Sequence, residues 1–353
     1  MSDSSIRKFH ETREREQLTD WAQLSENTRG RQKEEEKCSI RTDFQRDRDR
    51  ILYSKAFRRL KHKTQVFISP EGDYFRTRLT HTLEVSQIAR SIARALRLNE
   101  DLTEAISLGH DLGHAPFGHA GESALDELMQ EYSQTERFRH NEQSLRVVDF
   151  LENDQGLNLT FEVRDGILKH SKGKKDISAQ SGADSDMPIT AEGKIVRIAD
   201  RMAYINHDMD DALRAGIIVD SDIPKMALDT VGLTTSNRIG SMITDVITTS
   251  LNKKDICLSD KMSEVINTLK DFMFKRVYGD DSVAKIEEVK AKRMIESMFR
   301  YYMKYQDRFP NTNCLTNEPL PRKICDYISG MSDPFAIYQY ENIFIPKVWE
   351  NRL

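Results

Sequence analysis

Histidine and aspartate side chains are concentrated in one stretch of this 353-residue sequence. Five of the nine histidines lie between positions 81 and 140, and three of these five fall within GHDLGHAPFGH at 109–119. In that string His110 and Asp111 are adjacent, and the Leu-Gly that follows permits a bend that lets both side chains reach one ion. Imidazole and carboxylate groups together bind divalent metals such as Mn, Fe, Zn, Ni or Mg and leave positions open for water. The string therefore predicts part of a metal site.

Two further ligands are expected from residues far away along the chain. His81 opens an apolar-periodic helix predicted over 80–97, and Asp200 lies on a second such helix over 193–216. Each is a polar residue on a side that otherwise faces the core, where an unpaired charge would be costly. We predict that residues from three helices form one divalent metal site: His81, His110, Asp111 and Asp200.

The same string also permits a different metal chemistry. HDLGH at 110–114 has the spacing of the HExxH helix of zinc proteases, in which the Glu acts as general base. Here Asp replaces that Glu, and Gly113 and Pro116 interrupt the helix that the motif requires. A zinc-protease site is therefore disfavoured.

The composition favours a helical protein as the frame for these residues. Charged residues make up 31% of the chain against a usual value of about 25%, and proline (9) and glycine (16) are sparse. Apolar residues recur at helical spacing through most of the sequence, which predicts an all-α fold. The predicted helices cover 43–67, 80–97, the segment that follows Asn99, 121–131, 141–152, 193–216, 261–278, 283–305 and 335–345.

The length corresponds to about two domains. Residues 1–40 are polar and dense in charge, and we predict a partly mobile N-terminal arm there. We predict a core over 41–216 and a helical C-terminal region over 217–353 packed on it. Within the core, SKGKKDISAQSGADSDMP at 171–188 has almost no large apolar residues, which predicts a mobile loop over 171–190.

The charge balance limits the classes of partner. The formal net charge is −4, so no overall basic field favours nucleic acid, and an anionic substrate must meet a local cluster. The basic runs RDRDR (46–50) and FRRLKHK (57–63) could contact single-stranded nucleic acid or form solvated helix faces, and the acidic net charge favours the second. No segment approaches the ~20 apolar residues of a membrane span, the N-terminus has no secretory pattern, and the four cysteines have no CxxC spacing. We expect a cytoplasmic protein with no membrane partner.

Several longer strings resemble one known family. HTLEV at 81–85, HDLGHAPFGHAGE at 110–122 and IADRMAYINHDMDDA at 198–212 are similar to the HD-domain phosphohydrolases. QRDRDRILYSKAFRRLKHKTQVF at 45–67 and DYISGMSDPFAIY at 326–338 narrow the resemblance to the bacterial deoxyguanosinetriphosphate triphosphohydrolase-like branch. The resemblance implies an HD-domain helical core at 41–216, with a helical C-terminal region that completes the substrate pocket and the oligomer contacts. It also implies hydrolysis of deoxynucleoside triphosphates (dNTPs) to deoxynucleoside and tripolyphosphate.

The resemblance implies the same four metal ligands, with Mn²⁺ or Mg²⁺ favoured over Fe, Ni or Zn. It also implies a catalytic histidine, His119, beside the α-phosphate, with Glu122 and His140 in supporting acid–base roles and His114 in contact with a phosphate. Water attacks the α-phosphorus in this chemistry, and the 5′-oxygen of the nucleoside leaves. An alkoxide is a poor leaving group, so a general acid is needed, and a histidine suits that task near neutral pH.

Six further residues are assigned to substrate binding by resemblance alone. Phosphates would contact Arg78 and Arg201, the sugar 3′-hydroxyl would contact Gln65 and Asp208, and the sugar would also contact Tyr204 and Tyr278. Without the resemblance, arginines and tyrosines of this kind are more often paired or packed. His170, next to the predicted loop, is expected to lie at the surface or to anchor that loop.

The resemblance further implies a homo-oligomer and leaves room for an activating dNTP. Two alternatives to the dNTP reaction remain. One is another HD-type reaction, by a nucleotide phosphomonoesterase or phosphodiesterase, which would share the metal ligands but would not need Arg78, Arg201 and Gln65. The other is a regulator that binds a nucleotide or single-stranded nucleic acid with little turnover.

Overall fold

The computed structural model describes residues 3–65, 75–171, 186–251, 253–277, 284–310 and 318–347. These residues form helices and two isolated β-bridges but no β-strand, which confirms the all-α prediction. The α-helices are α1 (Asp3–Gln17), α2 (Asp43–Tyr53), α3 (Lys55–Arg59), α4 (Arg78–Ala95), α5 (Glu100–Gly109), α6 (Gly118–Tyr132), α7 (His140–Arg146), α8 (Phe161–Lys169), α9 (Ala191–Arg214), α10 (Lys225–Val231), α11 (Thr235–Leu251), α12 (Asp260–Arg276), α13 (Ala284–Lys304), α14 (Leu320–Ser329) and α15 (Asp333–Phe344).

The helices that carry the predicted metal ligands begin at polar caps. The side chain of Thr77 accepts a hydrogen bond from the Thr80 N–H at the start of α4. Asn99 accepts one from the Leu102 N–H in α5, and Thr190 accepts one from the Gly193 N–H in α9. Such caps satisfy backbone donors that have no partner inside a helix. The predicted cap at Asn99 is confirmed.

The continuous helix predicted over 43–67 is wrong. The backbone leaves the helical conformation at Ser54, whose hydroxyl caps the next helix by accepting a hydrogen bond from the Phe57 N–H. After α3 the chain makes a 3-10 turn at Leu60–His62. The apolar spacing is carried across this break because α2 and the turn both pack against the same core, and spacing alone does not reveal a capped break.

Two apolar cores organise the described residues. The larger core contains the inner faces of α2, α4, α5, α8 and α9, and α10 to α12 pack onto it. The smaller core joins α6 to α13, α14 and α15, with Leu125, Leu128, Ile295 and Phe299 at its centre. Since α6 lies inside the predicted 41–216 core but packs with the C-terminal helices, the two cores do not follow a single cut in the sequence.

The N-terminal residues, predicted to be a partly mobile arm, include a helix and buried ion pairs with α2. Residues 3–17 form α1, and Arg7 is buried and donates to the Asp43 carboxylate at 2.5 Å. Arg31 pairs with Asp43 and Asp47 and donates to the Asn158 carbonyl at 2.6 Å. These buried ion pairs attach the N-terminal segment to α2, because neither charge could stay buried without the other.

Most of the predicted loop at 171–190 lies outside the described residues, which omit 172–185. Its C-terminal end is described and leads into the Thr190 cap of α9. None of the described helices is both long enough and apolar enough to cross a bilayer.

Candidate active site

The four predicted metal ligands come together from three helices of the larger core. His81 lies in the first turn of α4, His110 and Asp111 follow directly on α5, and Asp200 lies in the middle of α9. His81 Nε2 is 3.1 Å from Asp200 Oδ1, and His110 Nε2 is 3.6 Å from Asp111 Oδ1 and 3.8 Å from Asp200 Oδ1. We call these four residues the metal-ligand cluster. The residues are separated by up to 119 positions, so the packing of α4, α5 and α9 creates their proximity.

The orientation of His110 fits a metal ligand. Its Nδ1 lies 2.6 Å from the Ser107 carbonyl oxygen, which can only accept, so Nδ1 carries the proton and Nε2 carries the lone pair. His110 Nε2 is buried and has no hydrogen-bond partner among the described residues. A buried acceptor without a partner costs free energy unless it binds something. Metal-bound histidines commonly use this arrangement, with the other ring nitrogen donating to a carbonyl.

The electrostatics of the cluster also fit a cation. Burial alone would raise the pKa of Asp111, but His110 and Arg78 hold it well below its usual range. Burial likewise opposes ionisation of Asp200, and the hydrogen bond from His81 together with nearby His110 lowers its pKa. Both carboxylates are therefore ionised at neutral pH and face ring nitrogens. Two imidazoles and two carboxylates form a donor set that suits a divalent transition metal or Mg²⁺.

A sharp turn after Asp111 lets the two adjacent residues point into one site. A side chain at Gly113 would place its Cβ 2.1 Å from the backbone nitrogen of Ser144 in α7, so only glycine fits there. The Gly113 N–H donates to the Ser144 hydroxyl, which in turn donates to the His110 carbonyl. The predicted interruption of the helix at this string is confirmed, since α5 ends at Gly109 and α6 begins at Gly118.

A second group of side chains lies next to the metal-ligand cluster. Glu122 Oε1 accepts from both the backbone N–H and the ring Nδ1 of His140, each at 2.9 Å. Glu122 Oε2 is 3.7 Å from His119 Nδ1 and 3.9 Å from His114 Nε2. We call this group the histidine–glutamate cluster; its members are His114, His119, Glu122, His140 and His170.

The members of this cluster differ in protonation. Burial and the nearby Arg78 guanidinium hold the pKa of His114 well below its usual range, so its ring is neutral. Burial would lower the pKa of His140 too, but the Glu122 carboxylate raises it to about 8. Burial would raise the pKa of Glu122, and His140 and His119 instead hold it well below normal. His119 differs from them in exposure, because 76% of its side chain is accessible to solvent.

His170 is a correction to the sequence analysis. It was expected at the surface or as a loop anchor, yet it is 2% exposed, and its ring centroid is 5.0 Å from that of His110. Its Nδ1 contacts the Ile167 carbonyl oxygen at 2.7 Å, and its Nε2 is 3.3 Å from His140 Nε2. The spacing of Val163, Ile167 and His170 at i, i+4 and i+7 puts the histidine on the buried side of α8. That periodicity is the signal that could have found it.

The predicted phosphate-binding arginines are both buried. Arg78 is the first residue of α4, and its Nη1 donates to Asp111 Oδ2 at 2.6 Å. Arg201 directly follows Asp200 on α9, and its Nη1 is buried without a hydrogen-bond partner among the described residues. Arg78 therefore already supports a member of the metal-ligand cluster, whereas Arg201 has donor capacity left for an anion.

The structure describes three of the four residues predicted to bind the sugar. Tyr204 and Asp208 follow Asp200 at i+4 and i+8 on α9 and so share its side of the helix; Tyr204 is half-buried and Asp208 is buried. The side-chain Oε1 of Gln65 is buried without a hydrogen-bond partner in the described part of the chain. Tyr278 lies outside the described residues.

The basic run at 46–50 is neutralised within the chain. Arg46 and Arg50 pair with Glu35, and Arg48 pairs with Asp101 and Glu104. Contacts with these carboxylates occupy the guanidinium groups that a nucleic acid would otherwise use. The geometry of α2 therefore adds nothing in favour of a nucleic-acid partner.

Comparison with known proteins places this geometry in a family. Residues 78–205 match the HD domain, and residues 256–342 match the phosphohydrolase-associated domain. The chain is 52% identical to the deoxyguanosinetriphosphate triphosphohydrolase-like protein of Caldanaerobacter subterraneus, over 98% of this chain and 97% of the relative. It is 47% identical to the protein of that name from Desulfatibacillum aliphaticivorans (97% of this chain, 99% of the relative) and 44% to that from Clostridium tetani (98% and 97%). The chain therefore belongs to the deoxyguanosinetriphosphate triphosphohydrolase-like family of HD-domain proteins and is a metal-dependent HD-domain hydrolase.

Proposed function

We propose that this hydrolase converts dNTPs to deoxynucleoside and tripolyphosphate by attack of water at the α-phosphorus. One observation carries the proposal. The exposed ring of His119 lies against Glu122, in the histidine–glutamate cluster that borders the metal-ligand cluster. A hydrolase that expels an alkoxide needs a proton donor next to its electrophilic centre, and this arrangement supplies one. The printed name of the relatives points to the same substrate class.

We assign His81, His110, Asp111 and Asp200 as the residues that would hold the divalent metal. When bound, a divalent metal polarises a phosphoryl oxygen and lowers the pKa of water. The chain itself supplies the geometry: the Ser107 carbonyl holds the His110 ring, and Arg78 holds the Asp111 carboxylate. Both contacts orient donor atoms before a substrate arrives.

His119 is the residue that we assign as general acid for the 5′-oxygen. Its Nδ1 faces Glu122, so the opposite edge of the ring is available to a substrate. Glu122 also holds His140, whose pKa of about 8 keeps that ring protonated at neutral pH. The Glu122 carboxylate faces His119 Nδ1 and can orient that ring toward the leaving oxygen. Neutral His114 is available to donate a hydrogen bond to a phosphate oxygen.

The triphosphate brings several negative charges that a single metal ion does not offset. Arg201 has a buried donor without a partner, and protonated His140 adds positive charge nearby. Donors aimed at a phosphoryl oxygen in a site that excludes water stabilise the developing charge. Gln65, Tyr204 and Asp208 are proposed to bind the sugar, with Tyr278 added by the resemblance.

The test is a product analysis with each of the four dNTPs in the presence of Mn²⁺ or Mg²⁺. Phosphorus NMR should show tripolyphosphate from the first turnover, together with one equivalent of deoxynucleoside. In water labelled with oxygen-18, attack at phosphorus places the label in tripolyphosphate and leaves the deoxynucleoside unlabelled. Stepwise release of orthophosphate would contradict the proposal and indicate an HD-type phosphomonoesterase.

A matched pair of histidine variants separates chemistry from folding. We expect His119→Ala to reduce kcat by about 10²-fold or more, because a general acid contributes about that much. His62→Ala changes an exposed histidine outside both clusters and should leave kcat unchanged. Equal activity of the two variants would remove His119 from the mechanism.

The partners inferred by resemblance stay predictions. Assays with pairs of dNTPs test for an activating nucleotide, because an activator raises turnover of the other dNTP. Light scattering at micromolar concentration tests for a homo-oligomer. Salt-dependent retention of an oligonucleotide without turnover would support the single-stranded nucleic-acid alternative.

A further inference from the structure

A buried carboxylate from the C-terminal region contacts the turn that presents His119. Asp333 is the first residue of α15, and it is 4% exposed. Its Oδ1 accepts a hydrogen bond from the Phe117 N–H at 3.0 Å. Its Oδ2 accepts from the Thr64 N–H at 2.9 Å and also from the Thr64 hydroxyl. One side chain thus links α15 to two segments that lie more than 200 positions away along the chain.

The backbone conformation of the turn at Phe117 needs stabilising contacts from outside the turn. Phe117 has φ 63° and ψ 26°, in the left-handed region that a non-glycine residue rarely adopts. It precedes α6 directly, and its side chain makes no capping hydrogen bond. Such a conformation persists only where the surrounding structure holds it. The hydrogen bond from the Phe117 N–H to Asp333 provides that hold two residues before His119.

The other bonds of Asp333 reach the segment that carries Gln65. The backbone of this segment lies against the same turn, since a Cβ at Gly118 would be 3.4 Å from the Gln65 carbonyl oxygen. Thr64 is bonded to Asp333 through both its N–H and its hydroxyl. Asp333 therefore sets the spacing between the residue assigned to the sugar and the residue assigned to proton donation.

A second set of hydrogen bonds also connects the C-terminal helices to the 109–119 string. The Lys63 ammonium is buried and donates to the His114 carbonyl and, at 2.8 Å, to the Ser329 carbonyl. Ser329 ends α14, so these hydrogen bonds also join the C-terminal helices to the 109–119 string. The 109–119 string that carries His114 and His119 is thus held at two points, the His114 carbonyl and the Phe117 N–H, from the region of the phosphohydrolase-associated domain.

We propose that Asp333 is a positioning residue for the hydrolysis, acting through the Phe117 turn on His119 and through Thr64 on Gln65. The inference rests on the proposed function for its kinetic consequence. It gives the DYISGMSDPFAIY string a role in the reaction without direct contact with the substrate. A purely structural alternative is that Asp333 only favours the start of α15, as acidic residues do at helix N-termini.

The variant Asp333→Asn keeps the size of the side chain but replaces one acceptor oxygen with a donor. At least one of the three hydrogen bonds must then be lost, because a donor would face a donor. We expect kcat to fall by about 10- to 100-fold with bound metal unchanged and KM changed much less, since small misplacements of a catalytic group have effects of that size.

Asp326→Asn is the matched control. Asp326 is also a carboxylate of the C-terminal region, with a side chain 9% exposed, and it binds Arg146, Arg322 and Gln143 rather than the 109–119 string. Its substitution should lower the thermal midpoint at least as much as Asp333→Asn does, yet keep kcat within about 3-fold of the parent. Equal kcat losses in the two variants would overturn the proposal.

A double-variant cycle with His119→Ala tests whether Asp333 acts through His119. If it does, Asp333→Asn should cause little further loss of kcat in the His119→Ala background, because energies of coupled residues do not add. Fully additive losses would contradict a positioning role. If Asp333→Asn does not fold, Thr64→Val removes only the hydroxyl bond of the arm that leads to Gln65. It should produce a smaller loss of kcat that is non-additive with Gln65→Ala.

Proton NMR of the His119 ring separates this inference from the proposed function. The His119 signal, identified by its loss in His119→Ala, should shift or broaden in Asp333→Asn and stay unchanged in Asp326→Asn. This readout needs no substrate, so it remains decisive if the wild-type protein hydrolyses none of the dNTPs. An unchanged His119 signal in Asp333→Asn would overturn the positioning role.

Discussion

The metal-ligand cluster and the histidine–glutamate cluster lie next to each other but differ in how their charges are balanced. In the first, two ionised carboxylates face ring nitrogens, and the Nδ1 of His81 and the Nε2 of His110 are buried without hydrogen-bond partners in the described structure. In the second, Glu122 and His140 bind each other at 2.9 Å, and the His114 ring stacks on the His140 ring. His114 Nδ1 in the second group is also buried without a partner in the described structure, so the two groups differ in how their charges are balanced. Two ionised carboxylates suit the first group to a cation, whereas in the second the Glu122 carboxylate is paired with the protonated His140 ring.

The two clusters also differ in what holds them. The residues of the metal-ligand cluster lie on or next to α4, α5 and α9, whose inner faces contribute to the larger core. Most of the histidine–glutamate cluster lies on the 114–122 segment and at the start of α7, between the larger and the smaller core. Apolar packing of α4, α5 and α9 therefore brings the first group together. The second group lies where α6 packs on the C-terminal helices, and a polar contact with Asp333 also reaches its turn.

The largest expected effect comes from Asp200→Asn. Asparagine keeps the shape but removes the charge that a divalent metal needs, so we expect loss of bound metal and a fall in activity of about 10³-fold or more. Metal content after desalting, measured by mass spectrometry, and turnover check this together. Glu192→Gln, on the same helix, should keep its metal. A metal content in Asp200→Asn equal to that of the parent would break the distinction between the clusters.

Glu122→Gln should separate proton chemistry from metal binding. We expect the metal content to stay at the parental level while kcat falls by about 10²-fold. The pKa of His140 is about 8 because Glu122 attracts its proton, so removal of that charge must lower this pKa and release the proton at a lower pH. NMR titration of the His140 ring measures the shift directly. Loss of metal together with activity would place Glu122 in the metal-ligand cluster instead.

His170→Gln sharpens the border between the two groups, because His170 contacts His140 on one side and His110 on the other. Its hydrogen bond to His140 assigns it to the histidine–glutamate cluster, so we expect a loss of kcat of about 10-fold with metal retained. The measurement pairs metal content with turnover. A variant that loses its metal would show that His170 is a ligand, and the border would move.

Glu192→Gln tests what a buried carboxylate does without a cation. Burial raises the pKa of Glu192 to about 7, although its Oε1 accepts from the backbone N–H groups of Gln23 and Asn99; Glu14 lies nearby and also raises it. Its folded pKa exceeds the unfolded value, so its favourable contribution is complete below the unfolded pKa near 4.5 and is lost as the pH rises through about 7. The difference between the folded and unfolded pKa corresponds to roughly 3 kcal/mol of the free energy of unfolding.

Glutamine carries no charge, so Glu192→Gln should unfold at a higher temperature than the parent at pH above 7, and at a similar temperature near pH 5. A constant difference across this range would contradict the assignment.

Much of the helical frame was predictable from local patterns. The apolar periodicity of α4 and α9 and the cap at Asn99 are local features, and each matches the structure. The break at Ser54 was missed, because one hydroxyl that bonds a nearby backbone N–H ends a helix without disturbing the apolar spacing. The anchoring of the N-terminal segment was also missed. A sequence dense in charge has the same composition whether its charges are solvated or paired with buried partners such as Asp43 and Asp47.

Some residues of the candidate site were likewise predictable from the sequence, and others were not. Residue type and spacing grouped His81, His110, Asp111 and Asp200, because four polar groups on apolar helices have few ways to avoid a buried charge. His170 was placed wrongly, because its role comes from contacts with His110 and His140 on other helices. Asp333 carried no chemical signal at all until its hydrogen bonds to Thr64 and Phe117 were visible.

The sequence by itself predicted many of the helices, the residues whose types could bind a metal or move a proton, and the family that the strings resemble. Hydrogen bonding and side-chain periodicity within a few residues decide those properties. Only the tertiary structure decided how close these acidic and imidazole groups lie, which of them keep a proton, and which contacts connect α14 and α15 to the segment around His114 and Phe117. Those properties depend on distance and burial between residues far apart along the chain, which arise only when the helices pack.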